Sequence, residues 1–175
     1  MAARNLVLIG FMGVGKSTIG RFCAAYLGME FRDSDAVIEA RAGMPVAELF
    51  TTHGEARFRQ LEREVVAELA ASRGLVIATG GGVPLNPENT ARLRAGGLVV
   101  LLRAAPETLV ARLTRGTPRP LLANCTDPRA RIEEMLAERA ACYRAAAHCQ
   151  VDGTGRSARQ VARSVIALYE MTEPT

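Results

Sequence analysis

Residues 5–18 read NLVLIGFMGVGKST. An apolar run of strand length, 5–10, breaks into a glycine-rich loop and then into residues that open a helix. The loop fits G-x-x-x-x-G-K-[ST], with Gly10, Gly15, Lys16 and Ser17 at the fixed places. Glycines without Cβ let successive backbone N–H groups turn into one concavity that can cradle phosphate oxygens. The helix N-terminus adds a partial positive charge. The backbone of Gly13, Val14 and Gly15, with Lys16, Ser17 and Thr18, therefore forms a candidate nucleotide site. Lys16 would reach the β- and γ-phosphates, and the Ser17 hydroxyl would hold a magnesium ion. Thr18 would touch the α-phosphate or serve as a helix-start hydroxyl.

Outward from this loop the chain alternates between two periodicities. Further strand-length runs lie at 75–80 (LVIATG) and 97–102 (GLVVLL), with weaker ones at 29–32 and 147–151. They are continuous rather than alternating, as expected for strands covered on both faces. Helical spacing appears over 16–27, 54–72, 128–146 and 157–170. Gly28 and Gly74 close two of these stretches, and Asp127-Pro128 starts a third as N-cap and first helical residue. Alternating β and α segments over one domain, 1–175, predict a parallel α/β sheet with helices on both sides. The stretch 114–127 (TRGTPRPLLANCTD) holds two Pro and one Gly and reads as a loop long enough to act as a mobile lid.

Composition narrows the class. The chain has 175 residues, 49% hydrophobic and 23% charged, which excludes wholesale disorder. The longest apolar run, around Leu98–Leu102, is far short of the ~20 residues a membrane helix needs. No signal peptide is recognisable, so the cytoplasm is the expected compartment and no membrane partner is expected. The 4 cysteines form no CxxC pair and only 2 His accompany them, so reduced thiols are expected rather than zinc or disulfides. The net charge is +4, but the basic residues form no block and aromatics are 5% with no Trp, which argues against nucleic acid. Of the 22 basic residues only Lys16 is Lys. A composition otherwise committed to Arg keeps one compact ammonium, in the phosphate loop.

The loop defines nucleotide binding but not a reaction. The strands at 75–80 and 97–102 lack the terminal Asp that GTPases and motor ATPases use to hold magnesium, and a base-recognition NKxD motif is absent. The acids placed just after a strand are Asp33 and Asp35 of F-R-D-S-D. In a parallel sheet they would lie near the phosphate loop. One could hold the metal's water shell while the other accepts a proton from a substrate hydroxyl. Alternatively, Asp33 or Ser34 simply caps the following helix.

Three further features point to an acceptor. G-E-x-x-F-R-x-x-E at 54–62 supplies Phe58, Arg59 and Glu62, with Arg59 and Glu62 spaced to pair on a helix. A triple glycine at 80–82 follows a buried strand and could bring backbone amides close to an anionic ligand. R-P-L-L at 119–122 puts Arg119 in the lid, able to close on a phosphoryl group in transfer.

Together with A-E-R-A-A-C-Y-R at 137–144, these motifs resemble the shikimate kinase family over nearly the whole chain. The resemblance implies a three-layer α/β/α P-loop kinase of the nucleoside-monophosphate-kinase group. Its parallel sheet would have five strands in the order 2-3-1-4-5, with an acceptor segment at about 33–62 and a lid at about 112–126. It implies transfer of the γ-phosphate of ATP to the 3-hydroxyl of shikimate, with Mg²⁺, by a monomer. By that resemblance Asp33 would be the magnesium-associated acid and Asp35 the proton acceptor. Arg59 and Arg139 would hold the shikimate carboxylate, with Arg144 a near rival to Arg139. Phe58, Gly81 and Gly82 would line the acceptor, with Gly80 beside them. Arg119 would contact phosphates, Arg112 would stack on adenine, and Arg156 with Ser157 would close its other side. Two rival readings are a related small-molecule kinase, such as a gluconate kinase, and a kinase-like sensing module without turnover.

Overall fold

The computed structural model describes residues 4–114 and 127–172. They build a parallel sheet from β1 (Asn5–Gly10), β2 (Glu30–Asp33), β3 (Leu75–Ala78), β4 (Gly97–Arg103) and β5 (Cys149–Asp152). The strand order is β2-β3-β1-β4-β5, as the resemblance implied. Seven helices connect and flank these strands among the described residues. They are α1 (Lys16–Leu27), α2 (Ser34–Ala42), α3 (Val46–Ala71), α4 (Pro87–Gly96), α5 (Pro106–Thr114), α6 (Pro128–Ala146) and α7 (Ala158–Thr172). A 3₁₀ turn spans Val83–Leu85.

β1 lies at the centre of the sheet, between β3 and β4. Every residue of it is buried, with Leu6 paired to Val76 on one side and to Leu98 on the other. Burying one such leucine contributes about 2–3 kcal/mol. Helix α1 packs against α7, α3 against α2 and α4, and α5 against α6. Asn5 is a polar clamp inside this core. Its Nδ2 donates to the carbonyls of Leu69 and Ser72, and its Oδ1 accepts from the Leu75 N–H. It ties β1 to the end of α3 and the start of β3.

All five carboxyl ends face the same edge. Asp33 lies opposite Ala78, Gly10 opposite Leu102, and Arg103 opposite Asp152. From β1 the chain runs to β2 and β3 on one side and to β4 and β5 on the other, so the order reverses beside β1. That is where open α/β sheets bind ligands.

The boundaries depart from the sequence reading in physically legible ways. Strand β3 stops at Ala78 instead of 80, because the chain turns off at Thr79 after donating its N–H to Leu8 O at 3.1 Å. Helix α3 begins at Val46, not 54, and is broken within by Gly54, at φ 76° and ψ 170°. α4 and α5 were not anticipated. Yet α4 starts on Asn86-Pro87, with the Asn86 side chain capping the Glu88 N–H, the same signal read correctly at Asp127-Pro128. No helix among the described residues is long and apolar enough to cross a membrane.

Candidate active site

The phosphate loop leaves β1 and enters α1 through three glycines at positive φ, Gly10 at 143°, Gly13 at 78° and Gly15 at 99°. L-residues rarely adopt this backbone. A Cβ at Gly10 would also meet the Leu102 carbonyl at 2.4 Å. The Lys16 ammonium bends back over the loop and donates to the carbonyls of Gly10 (2.7 Å) and Phe11 (3.0 Å). The Arg112 guanidinium reaches from α5 to Gly13 O and Val14 O. A cavity of about 260 Å³ adjoins the loop, lined among others by Gly13, Gly15, Thr18, Arg112 and Arg156. Arg156 is fixed at its rim by donating to Asp152 O, Gln160 O and Ser164 Oγ. A larger cavity of about 440 Å³ lies behind Phe11 and Val14, between the ends of β4 and β5 and helices α5 and α6. It touches neither Lys16 nor the paired acids.

The two aspartates divide. The Asp33 side chain caps α2 by accepting from the Asp35 N–H at 3.0 Å, and its other oxygen accepts from the Ser17 hydroxyl at 2.6 Å. Capping and a site beside the loop are therefore both true of Asp33. Ser17 and Asp33 present hard oxygens side by side, a donor pair suited to an ion that keeps several waters and takes phosphates as further ligands. The described residues hold no cluster of three or more acidic, His or Cys ligands that would form a closed metal cage.

Asp35 is different. Its Oδ1 is buried and has no hydrogen-bond partner. Burial first, then the neighbouring Asp33 charge, lifts its carboxyl from 3.8 to about 6, against the pull of Lys16. An acid poised near neutrality is suited to proton transfer.

The triple glycine serves side chains as much as any ligand. A Cβ at Gly80 would stand 2.6 Å from Asp35 Oδ1, and one at Gly82 would stand 2.8 Å from Arg59 Nη1. Two polar groups of the loop already have protein partners. Gly80 N–H donates to the buried Ser34 hydroxyl at 2.9 Å, and the Gly81 carbonyl accepts from Tyr143 at 2.8 Å. A Cβ at Gly81 would stand 3.6 Å from Gly10 O and from Met12 N, at the start of the phosphate loop.

Arg59 stands over Gly82 as a braced fork. Its Nη1 donates to both oxygens of Glu62, at 3.0 and 3.1 Å, and Nε and Nη2 donate to Glu55. The Glu62 side chain is only 3% exposed. Burial raises its pKa while Arg59 opposes the rise. For Arg59, burial works against the charge, but Glu62 and Glu55 outweigh it and the pKa rises. Phe58 is buried beneath, 4.6 Å from the Phe50 ring and 5.2 Å from the Arg59 guanidinium. Arg139 of α6 lies 5.7 Å over the Phe11 ring. Arg144 lines the larger cavity behind Phe11 instead. Arg119 lies outside the described residues.

Sequence reasoning missed Ser34 and Tyr143 as site residues. Ser34 sat between the two aspartates, and Tyr143 four residues after Arg139, but neither had a visible partner in the sequence.

A phosphate loop, a serine–aspartate oxygen pair, and a poised acid and a braced arginine along one glycine loop, at the switch point of a parallel sheet, define a P-loop kinase of the small-molecule type. A model of the shikimate kinase family matches residues 12–170, and the chain belongs to that family. It is 45% identical to a shikimate kinase of Caldanaerobacter subterraneus over 95% of this chain and 96% of that one. It is 52% identical to one of Desulforudis audaxviator over 80% of this chain and 73% of that one. A solved shikimate kinase from Acinetobacter baumannii, in complex with shikimate, superposes with a TM-score of 0.91 at 35% identity, covering 99% of this chain and 96% of that one. A gluconokinase from Sinorhizobium meliloti, at 18% identity and a TM-score of 0.58, shares the fold alone.

Proposed function

We propose that this chain phosphorylates the 3-hydroxyl of shikimate with ATP, giving shikimate 3-phosphate and ADP, a step toward aromatic amino acids. The carrying observation is the position of Asp35, whose unpartnered oxygen lies beside the glycine loop that joins the phosphate loop to Arg59.

The nucleotide's phosphates would occupy the loop amides of Gly13, Val14 and Gly15, with Ser17 and Thr18 at the helix start. Lys16 would exchange its two carbonyl partners for phosphate oxygens. Arg112 and Arg156 would flank the adenine in the 260 Å³ cavity. Ser17 and Asp33 would hold a divalent ion, Mg²⁺ in this reading. When bound, that ion supplies neutralisation of phosphate charge. Arg59 from α3 and Arg139 from α6 would grip the shikimate carboxylate as forks matched to two oxygens. Phe58, Gly81 and Gly82 would line the ring. That grip would point a hydroxyl at Asp35. The ionised carboxylate accepts the hydroxyl proton as the oxygen bonds to the γ-phosphorus and the bond to the β-phosphate oxygen breaks. The protein's work is alignment and charge neutralisation, to which Arg119 would add.

We infer one kinase domain acting as a monomer on ATP and shikimate, without nucleic acid or membrane, in the cytoplasm where ATP is available. Phosphorus NMR of a reaction with ATP and shikimate should show a new phosphomonoester coupled to the proton on carbon 3. A phosphoester on another carbon, or none, would refute the reading.

A further inference from the structure

The glycine loop 80–82 bridges the two halves of the site, and it is tied at both ends. Ser34 holds the Gly80 amide from α2, next to both aspartates. Tyr143 holds the Gly81 carbonyl from α6, one helical turn beyond Arg139. Tyr143 is 4% exposed, yet its hydroxyl emerges against the loop. Burial raises the pKa of the phenol, and Arg139, on the same helix, opposes that rise. The hydroxyl therefore ties the Gly81 carbonyl, to which it donates, to the helix that carries Arg139. A phenol is suited to this tie because it carries a donor at the end of a rigid ring.

We propose that Tyr143 is a positioning residue for the acceptor, setting Arg139 and the Gly81 backbone in a common register against the phosphate loop. A Cβ at Gly81 would stand 3.6 Å from both Gly10 O and Met12 N, so Gly81 lies beside the phosphate loop, and a shift of α6 relative to the loop alters the span between the carboxylate grip and the transferred phosphoryl group. Burial alone does not require the hydroxyl. Phenylalanine would fill the same volume, and the half-buried Gly81 carbonyl could take water in its place.

The proposal rests on the kinase reading above, and the test separates the two. Tyr143→Phe and wild type are compared in steady-state ADP release, varying shikimate and ATP separately, with thermal unfolding of both. Losing one neutral hydrogen bond of ordinary net strength predicts a KM for shikimate raised about five- to tenfold. The KM for ATP should stay within about twofold, and the melting temperature within a few degrees. Calorimetric binding of shikimate alone should weaken by the same factor. A shikimate KM unchanged in the variant, or an ATP KM that rises in parallel, would overturn the positioning role while leaving the kinase reading intact. A wild type with no shikimate-dependent ADP release would instead remove that reading, and this proposal with it.

Discussion

Asp35→Asn should make the protein more stable and almost inactive, with a pH signature that identifies the cause. Burial, supplemented by Asp33, lifts the Asp35 carboxyl from 3.8 to about 6. At about 1.4 kcal/mol per pH unit, that gap is worth about 3 kcal/mol. This is an upper limit, because the residue as a whole is only half-buried although its Oδ1 is fully so. Folding favours the neutral form, so the stability linked to it is complete below 3.8 and is lost as pH rises through about 6. Above about pH 7 the wild type carries the full cost of a buried charge, and the isosteric amide does not. Urea unfolding of both proteins from about pH 4.5 to 8 should show a difference of only about 1 kcal/mol at the acid end. The variant should gain steadily to as much as about 3 kcal/mol at the alkaline end. Turnover should fall by roughly 10²–10⁴ with ATP binding retained, and wild-type kcat/KM should lose activity on the acid side with a midpoint near 6. A stability difference that does not change with pH, or a variant less stable at pH 8, would refute the assigned origin of the shift.

Gly80→Ala places a methyl 2.6 Å from Asp35 Oδ1, so it should cut kcat by about a hundredfold or more while the KM for ATP is preserved, as a 1 Å misplacement would. Normal turnover in steady-state assays would show that the loop yields freely. Glu62→Gln loosens the brace on Arg59, so the KM for shikimate should rise about tenfold and stability fall by about 1–3 kcal/mol. Titration of shikimate against the variant, beside a denaturation curve, checks both. Asn5→Ala removes three hydrogen bonds remote from the cleft, two of them fully buried. It should cost about 2–4 kcal/mol in urea unfolding with kcat and both KM values unchanged.

The parts legible in the sequence were those whose physics is local. The P-loop could be read because its glycines, lysine and serine act within a few residues, and the strand and helix around it have their own periodicities. The β1, β3 and β4 runs were legible because burial on both faces leaves an unbroken apolar stretch. α4 was missed because Pro87-Glu-Asn-Thr-Ala-Arg-Leu-Arg is mostly polar, with the buried stripe reduced to Asn89, Leu93 and Gly96. The early turns of α3 were missed because Gly54 breaks the periodicity between them and the rest of that helix. The triple glycine drew attention, but its reason could not be read. The atoms that exclude a Cβ there belong to Asp35 and Arg59, far away in the chain. Ser34 and Tyr143 are the same case in reverse, ordinary residues made specific by partners that only the fold supplies.

The central claim is tested most directly by ADP release from Mg-ATP, by the protein with shikimate, with gluconate and with no acceptor. The account predicts strong stimulation by shikimate alone and a slow background without it. Equal rates in all three, or stimulation by gluconate in place of shikimate, would contradict it.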